Sequence, residues 1–260
     1  MSKQSSSKTN FLAQGTILVI ASFVAKAIGM IYRIPLTHIL GDDGNGYYST
    51  ANEIYTIILM ISSFSLPLAV SRLVAEREYA GEVKNSYRVL ICSLRFAAVT
   101  GGILSILTFL LGGVITKYVM GVELASYALR VLAPAIFLFA LTGVLRGFFQ
   151  GHGTMVPTAI SQIIEQVINA IISVAGAYVM LQYGLKLGEK KGDAELGTAL
   201  AAAGGTFGTV ASVGVALLFM IVIYLGYRNG FKRRMKKDKT RRRESDRAIY
   251  RAITYTILPI

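Results

Sequence analysis

Long apolar runs recur along the chain at 11–40, 47–74, 87–120, 122–149, 155–183 and 197–227, each bounded by a short polar or charged segment. A helix crossing about 30 Å of hydrocarbon needs about 20 apolar residues at 1.5 Å each. Lipid offers the backbone no hydrogen-bonding partner, so runs of this length cross as helices. The pattern predicts an all-α integral membrane protein with six transmembrane helices, some tilted or extending into the interface. A seventh span is expected from Ala252. It would be cut short by the end of the sequence, so the chain reads as part of a longer protein. The expected organisation is a cytoplasmic tail at 1–10, a six-helix lobe at 11–227, a basic cytoplasmic loop at 228–251 and the start of a seventh span at 252–260.

Composition agrees: 53% of the residues are hydrophobic and 16% charged, against about a quarter charged in soluble domains. The net charge of +13 gathers at one membrane boundary, with twelve Lys and Arg between Arg228 and Arg251. With the N-terminus inside, the inner segments hold 19 basic residues and the outer ones 4, as the positive-inside rule requires. The loop at 41–46, without a basic residue, then falls outside. The basic segment admits two readings, nucleic-acid binding or an anchor drawn to an anionic inner leaflet at about 1 kcal/mol per basic residue. It lacks interleaved aromatics and sits between two spans, so the lipid anchor is adopted and no nucleic-acid partner is expected. Cys92 is the single cysteine, which excludes an intrachain disulfide and a cysteine metal cluster. The first apolar run is too long for a signal peptide and contains Lys26 and Arg33, so it reads as a retained helix.

Ionisable residues inside spans cost about 2.5–3.5 kcal/mol each at the bilayer centre and usually face a cavity or a partner. In the first span Ser22, Lys26, Gly29 and Arg33 share one helical face. That stripe suits an anionic head group, because the arginine fork bonds two phosphate oxygens at once. The alternative is a structural ion pair with Glu53 or Glu165. In the fifth span Gln162, Glu165, Gln166, Asn169 and Ser173 form a second polar stripe. It can bind substrate, a coupling cation or a proton, or simply join helices by hydrogen bonds. Arg130, two turns into the fourth span, faces either the cavity or the interface. Arg95 is expected to snorkel. Glu53 and Arg146 are candidates for a gate or an ion pair.

Pro67 and Pro134 offer kinks, and Gly147, Gly151 and Gly153 are expected to form a tight inner turn. His152 is a lone loop histidine, and neither a metal site nor a cofactor is expected. There is no P-loop and no nucleophile–histidine set, so the chain does not read as an enzyme.

Several of these segments carry a resemblance. The run from Lys26 to Leu36 with Gly41 and Gly46-Tyr47-Tyr48, the stretch 66–76, and Leu145-Arg146-Gly147-Phe148-Phe149-Gln150-Gly151 followed by Pro157 and Gln162 are similar to polysaccharide-transport proteins of the stage V sporulation protein B group. That group is related to the lipid II flippases of the multidrug/oligosaccharidyl-lipid/polysaccharide flippase superfamily. The resemblance implies an N-terminal six-helix lobe of a two-lobe bacterial plasma-membrane transporter. The lobes are related by a pseudo-two-fold along the membrane normal, and the C-terminal lobe is absent from this chain. It implies alternating access for a polyprenyl-pyrophosphate-linked saccharide. Basic residues of the first helix line the cavity in the lipid II flippases; Lys26 falls on the first of those positions and Arg33 one residue from the second. Two other readings stand beside this one. A cation-coupled multidrug exporter of the same superfamily would use Glu165. A non-transporting membrane scaffold for envelope synthesis would use the basic segment.

Overall fold

The computed structural model describes residues 2–63, 65–193, 195–240 and 243–257, with side chains from residue 14 onward. Among these residues all regular structure is helical: α1 (Ser2–Ser62), α2 (Leu66–Tyr79), α3 (Val83–Val114), α4 (Ala125–Gly151), α5 (Val156–Lys191), α6 (Leu196–Lys237) and α7 (Asp246–Ile257). A π-helical turn, Ile115–Val119, finishes α3. The side chains of the tail at 1–10 and the end of the expected seventh span at 258–260 lie outside the described residues.

Five helical stretches are long and apolar enough to cross a membrane, the first being Gln14–Tyr79. That stretch crosses twice. Gly41 takes φ 64° and ψ −173° inside α1, a conformation open to glycine because it has no Cβ. The chain reverses there. Gln14 accepts a hydrogen bond from the Met155 amide, Gly44 packs against Thr198 at the opposite end, and Pro67 is back beside Gly143. The second expected run is also interrupted: α1 stops at Ser62 and α2 starts at Leu66. Pro67, expected as a mid-helix kink, instead lies in the first turn of α2, where its missing N–H costs no helical bond.

Glycines set the closest approaches. Gly143, Gly147 and Gly151 recur every four residues on one face of α4 and seat α2. A Cβ on Gly151 would lie 2.7 Å from the Ser71 carbonyl oxygen, and one on Gly147 would strike the carbonyl oxygen of Pro67. The expected glycine turn is therefore corrected: Gly147 and Gly151 are packing surfaces within α4, and Gly153, at φ 76°, makes the turn. On α5 and α6, Gly176 and Gly204 bring the two backbones into direct contact.

Two buried clusters fill the lobe. Leu36, Leu40, Ala51, Leu129, Leu132 and Ile136 pack at the end where Gly41 turns, while Val70, Val74, Phe148, Phe149 and Met220 pack at the basic end with Ile249 and Ile253 of α7. Large apolar side chains such as Phe23, Ile61 and Leu110 are well exposed on the perimeter. Apolar exposure on this scale needs a nonpolar surround, which the bilayer supplies.

The basic segment differs from the expected loop. The 42 residues of α6 span about 63 Å, twice the hydrocarbon thickness, so the helix runs on through Arg228 to Lys237. Residues 238–240 and 243–245 carry no regular structure, and α7 begins six residues before the expected seventh span. The acids of the segment dock it onto the lobe. Glu244 pairs with Arg77 at 3.0 Å. Asp246 pairs with Arg88 and lies 3.5 Å from Arg95, so Arg95 has an ionic partner where snorkelling was expected. Asp238 accepts the Lys84 amide at 2.8 Å.

Slight burial raises the Asp238 carboxyl pKa, but hydrogen bonds from Thr240 and from the Lys84 amide outweigh it and hold the group below the usual carboxylate range. A depressed folded value contributes stability above the unfolded value of about 3.9, and that stability is lost as pH falls through the lower folded value. The Lys84 amide should therefore keep its protection from hydrogen exchange as pH falls through the ordinary carboxylate value of about 3.9 and lose it only at lower pH, and Asp238→Ala should remove that pH dependence.

Candidate functional site

The two polar stripes meet. Ser22 of α1 donates to Oε1 of Gln162 at 3.4 Å and to the Leu18 carbonyl at 2.9 Å. About two turns further along α1, a Cβ on Gly29 would sit 3.5 Å from Oε1 of Gln166. Further still, Asn169 Nδ2 donates to the Tyr32 hydroxyl at 2.9 Å. Asn169 Oδ1 in turn accepts from Ser173 at 2.9 Å and from Thr209 of α6 at 3.5 Å. The interface between the first arm of α1 and α5 is thus a polar seam along most of its length.

Lys26 and Arg33 stand at the edge of that seam. Ser22, Lys26, Gly29 and Arg33 fall within an arc of about 60° at 3.6 residues per turn. The small members enter the contact, and the two long cations leave it and are exposed. Neither makes an ion pair among the described residues. Lys26 borders a hollow of about 240 Å³ with Ser22 and Phe23. Arg33 lies within electrostatic reach of Tyr48 on the returning arm. Counted from the Gly41 turn, Glu53 lies about level with Gly29, between the two cations. It is exposed and has no ion pair among the described residues.

Glu165 does not pair with Lys26 or Arg33. Its carboxylate meets Arg146 Nη2 of α4 at 2.7 Å, and Arg146 Nε donates to Ser161 Oγ at 2.9 Å. Arg146 is therefore a buried ion-pair residue, with side chains only 9% and 14% exposed on the two partners. Helical geometry explains the choice. Glu165 sits on the flank of the α5 stripe, turned toward α4, while Gln162, Asn169 and Ser173 face α1 and α6.

Arg130 is not on the seam. It lies over Gly112 and Gly113 of α3 and lines a cavity of about 450 Å³ with Lys117, Tyr118 and Ser126. His152 is more than a loop residue. Its Nδ1 lies 2.8 Å from the Phe148 carbonyl oxygen, its Nε2 lies 3.1 Å from Glu78, and its ring packs between Phe148 and Phe231. Glu78 also pairs with Arg234, so this cluster ties α2, α4 and α6 at the basic end.

Sequence patterning missed Tyr32, Thr209 and Ser161. Tyr32 follows Gly29 by three residues, and Ser161 precedes Glu165 by four, so each lies on a face already marked as polar. Thr209 had no such signal.

Known proteins resemble this chain in sequence and in fold. Residues 11–257 match the family described as polysaccharide biosynthesis protein. The chain is 29% identical over 217 residues to stage V sporulation protein B of Bacillus subtilis, covering 84% of this chain and 39% of that protein. It is 27% identical over 180 residues to the lipid II flippase MurJ of the same organism, covering 66% of this chain and 33% of that protein. The chain therefore spans well under half the length of these relatives. Among solved structures, an outward-facing multidrug resistance MATE transporter of the MOP superfamily superposes with a TM-score of 0.74 at 19% identity, over 97% of this chain and 52% of that one. The fold is thus that of about half of this transporter, and the chain belongs to the polysaccharide biosynthesis protein family.

Proposed function

We propose that this lobe forms half of a flippase that carries undecaprenyl-pyrophosphate-linked saccharides across the bacterial plasma membrane by alternating access. The observation that carries this reading is the pair of exposed cations on one arm of α1, Lys26 and Arg33, which have no ionic partner among the described residues. A membrane-embedded cation without a partner invites an anionic ligand, and a pyrophosphate offers two charged groups. The relative named as a lipid II flippase supports the same substrate class. A second lobe would close the cavity over α1. The N-terminus would be cytoplasmic, because Arg77, Lys84, Arg88 and the exposed cations of the basic segment gather at one end of the lobe.

The multidrug reading relied on Glu165, and Glu165 is neutralised by Arg146. The solved multidrug neighbours, at 18–20% identity, speak to the fold alone. In the scaffold reading the basic segment is the working surface. Its acids hold it against α2 and α3, leaving Lys232, Arg233, Lys236 and Arg247 exposed, a set suited to anionic lipid head groups.

The test is binding of a polyprenyl-pyrophosphate-linked saccharide to the protein carrying this lobe, followed by native mass spectrometry. A hydrogen bond to a charged group contributes about 1.5–3 kcal/mol, so Lys26→Ala/Arg33→Ala should weaken binding by more than about tenfold. Binding unchanged by the double substitution would remove the proposed site.

A further inference from the structure

We infer that the end of the lobe opposite the basic segment carries a seat for one anionic glycerophospholipid, its phosphate on Arg130 and one acyl chain in the groove between α4, α5 and α6. Arg130 makes no ion pair among the described residues. Its guanidinium extends over α3, where an added Cβ on Gly113 would sit 3.1 Å from Nη2, so glycine leaves the room for the side chain. The cavity it borders also contains Lys117 and Glu123, which pair at 2.8 Å and cancel. One uncompensated positive charge remains beside a volume of about 450 Å³. This matches a phosphodiester, which carries one negative charge and two oxygens for the planar fork of an arginine.

Tyr127 lines both this cavity and an apolar groove of about 640 Å³. The groove has a physical cause. Gly176 and Gly204 touch backbone to backbone, so no side chain fills its floor, while Ile171, Met180 and Phe207 form walls. Residues 171–180 of α5 extend about 14 Å, enough for much of one acyl chain. An amphipathic ligand is required, because the cation and the apolar trough adjoin at one tyrosine.

A bilayer lipid fits better than the transported one. On α6, Gly205 turns toward Leu36 and Tyr48 of α1, whereas Gly204 and Phe207 face the groove. The α1 cations and the groove therefore lie on different sides of α6. Arg130, a candidate for the substrate cavity by sequence, is assigned to this separate seat.

The experiment uses phosphatidylcholine vesicles containing the protein and a trace of phosphatidylglycerol with a diazirine in its acyl chain. Irradiation is followed by peptide mapping. Label should concentrate on 171–180 and 200–207. It should fall by about tenfold in Arg130→Gln, in line with loss of a charge-assisted bond, and be largely kept in Arg130→Lys. Filling the trough with Ala175→Trp should remove the label from those peptides while Arg130 is intact. Three results would each overturn the proposal: label spread evenly over all lipid-facing helices, label indifferent to Arg130→Gln, or label displaced by a polyprenyl phosphate and not by unlabelled phosphatidylglycerol.

Discussion

Replacing Arg146 with methionine is expected to destabilise the lobe by about 3–5 kcal/mol, the usual cost of removing one partner from a buried ion pair. The deletion strands the Glu165 carboxylate, which is 14% exposed and otherwise meets Arg146 at 2.7 Å. It also takes the Nε donor from Ser161, although Ser161 still donates to the Thr158 carbonyl at 2.7 Å. The double substitution Arg146→Met/Glu165→Leu should recover most of the loss, because it leaves no charge behind and fills the space with apolar atoms. Thermal unfolding of the four proteins of this cycle in one detergent is the measurement. Equal destabilisation by the single and the double variant would show that packing around Arg146, not its charge, is what matters there. The same cycle bears on transport. If the pair serves only to join α4 to α5, the double variant should keep its affinity for the lipid-linked saccharide.

The second large effect concerns glycine, and its sign depends on position. Gly204→Ala places a Cβ against the carbonyl of Gly176, and Gly176→Ala places one 2.5 Å from the Gly204 carbonyl oxygen. Backbone cannot rotate out of the way as a side chain can. The helices must separate, at a cost of about 1–3 kcal/mol or somewhat more for an overpacked contact. Gly226 and Gly230 lie in the same helix, and a Cβ on either meets nothing within 4 Å. There the substitution should stabilise by roughly 0.5–1 kcal/mol, through the lower backbone entropy of alanine in a helix. Opposite signs for one chemical change along α6 would confirm that α5 and α6 are held at backbone distance. A stabilising Gly204→Ala would contradict it. The Gly204 variant also tests the lipid seat, since parting α5 from α6 alters the floor of the groove.

Much of the architecture was legible because a bilayer permits few solutions. Six apolar runs of sufficient length mean six crossings, and alternating polar segments order their ends. The reversal at Gly41 followed from a glycine within an acidic, basic-free loop. The break between Ser62 and Leu66 was not legible, since the serines there sit in the middle of a long, mostly apolar run at 47–74, and serine is tolerated inside membrane helices. Pro67 marked the place, but helix start and helix kink look alike in a sequence. The Gly143, Gly147 and Gly151 series was visible as glycine, yet its meaning depended on which helix it met.

The same division holds for the site. Helical periodicity alone placed Ser22, Lys26, Gly29 and Arg33 on one face and Gln162, Asn169 and Ser173 on another, because a period of 3.6 residues is local geometry. The sequence also determined the basic end and the membrane class, which depend on composition and charge order. Tertiary structure decided who partners whom. The sequence offered Glu165 two cations, Lys26 and Arg33, and the packing of α4 against α5 gave it to Arg146 instead. The acids of the basic segment found α2 and α3, turning an expected free loop into a docked strap. For Arg130 the sequence left cavity and interface open, and the packing of α4 lays it over Gly112 and Gly113 of α3. Such pairings depend on which helix faces join, and that choice is made by side-chain volume and glycine contacts distant in sequence, which no local pattern contains.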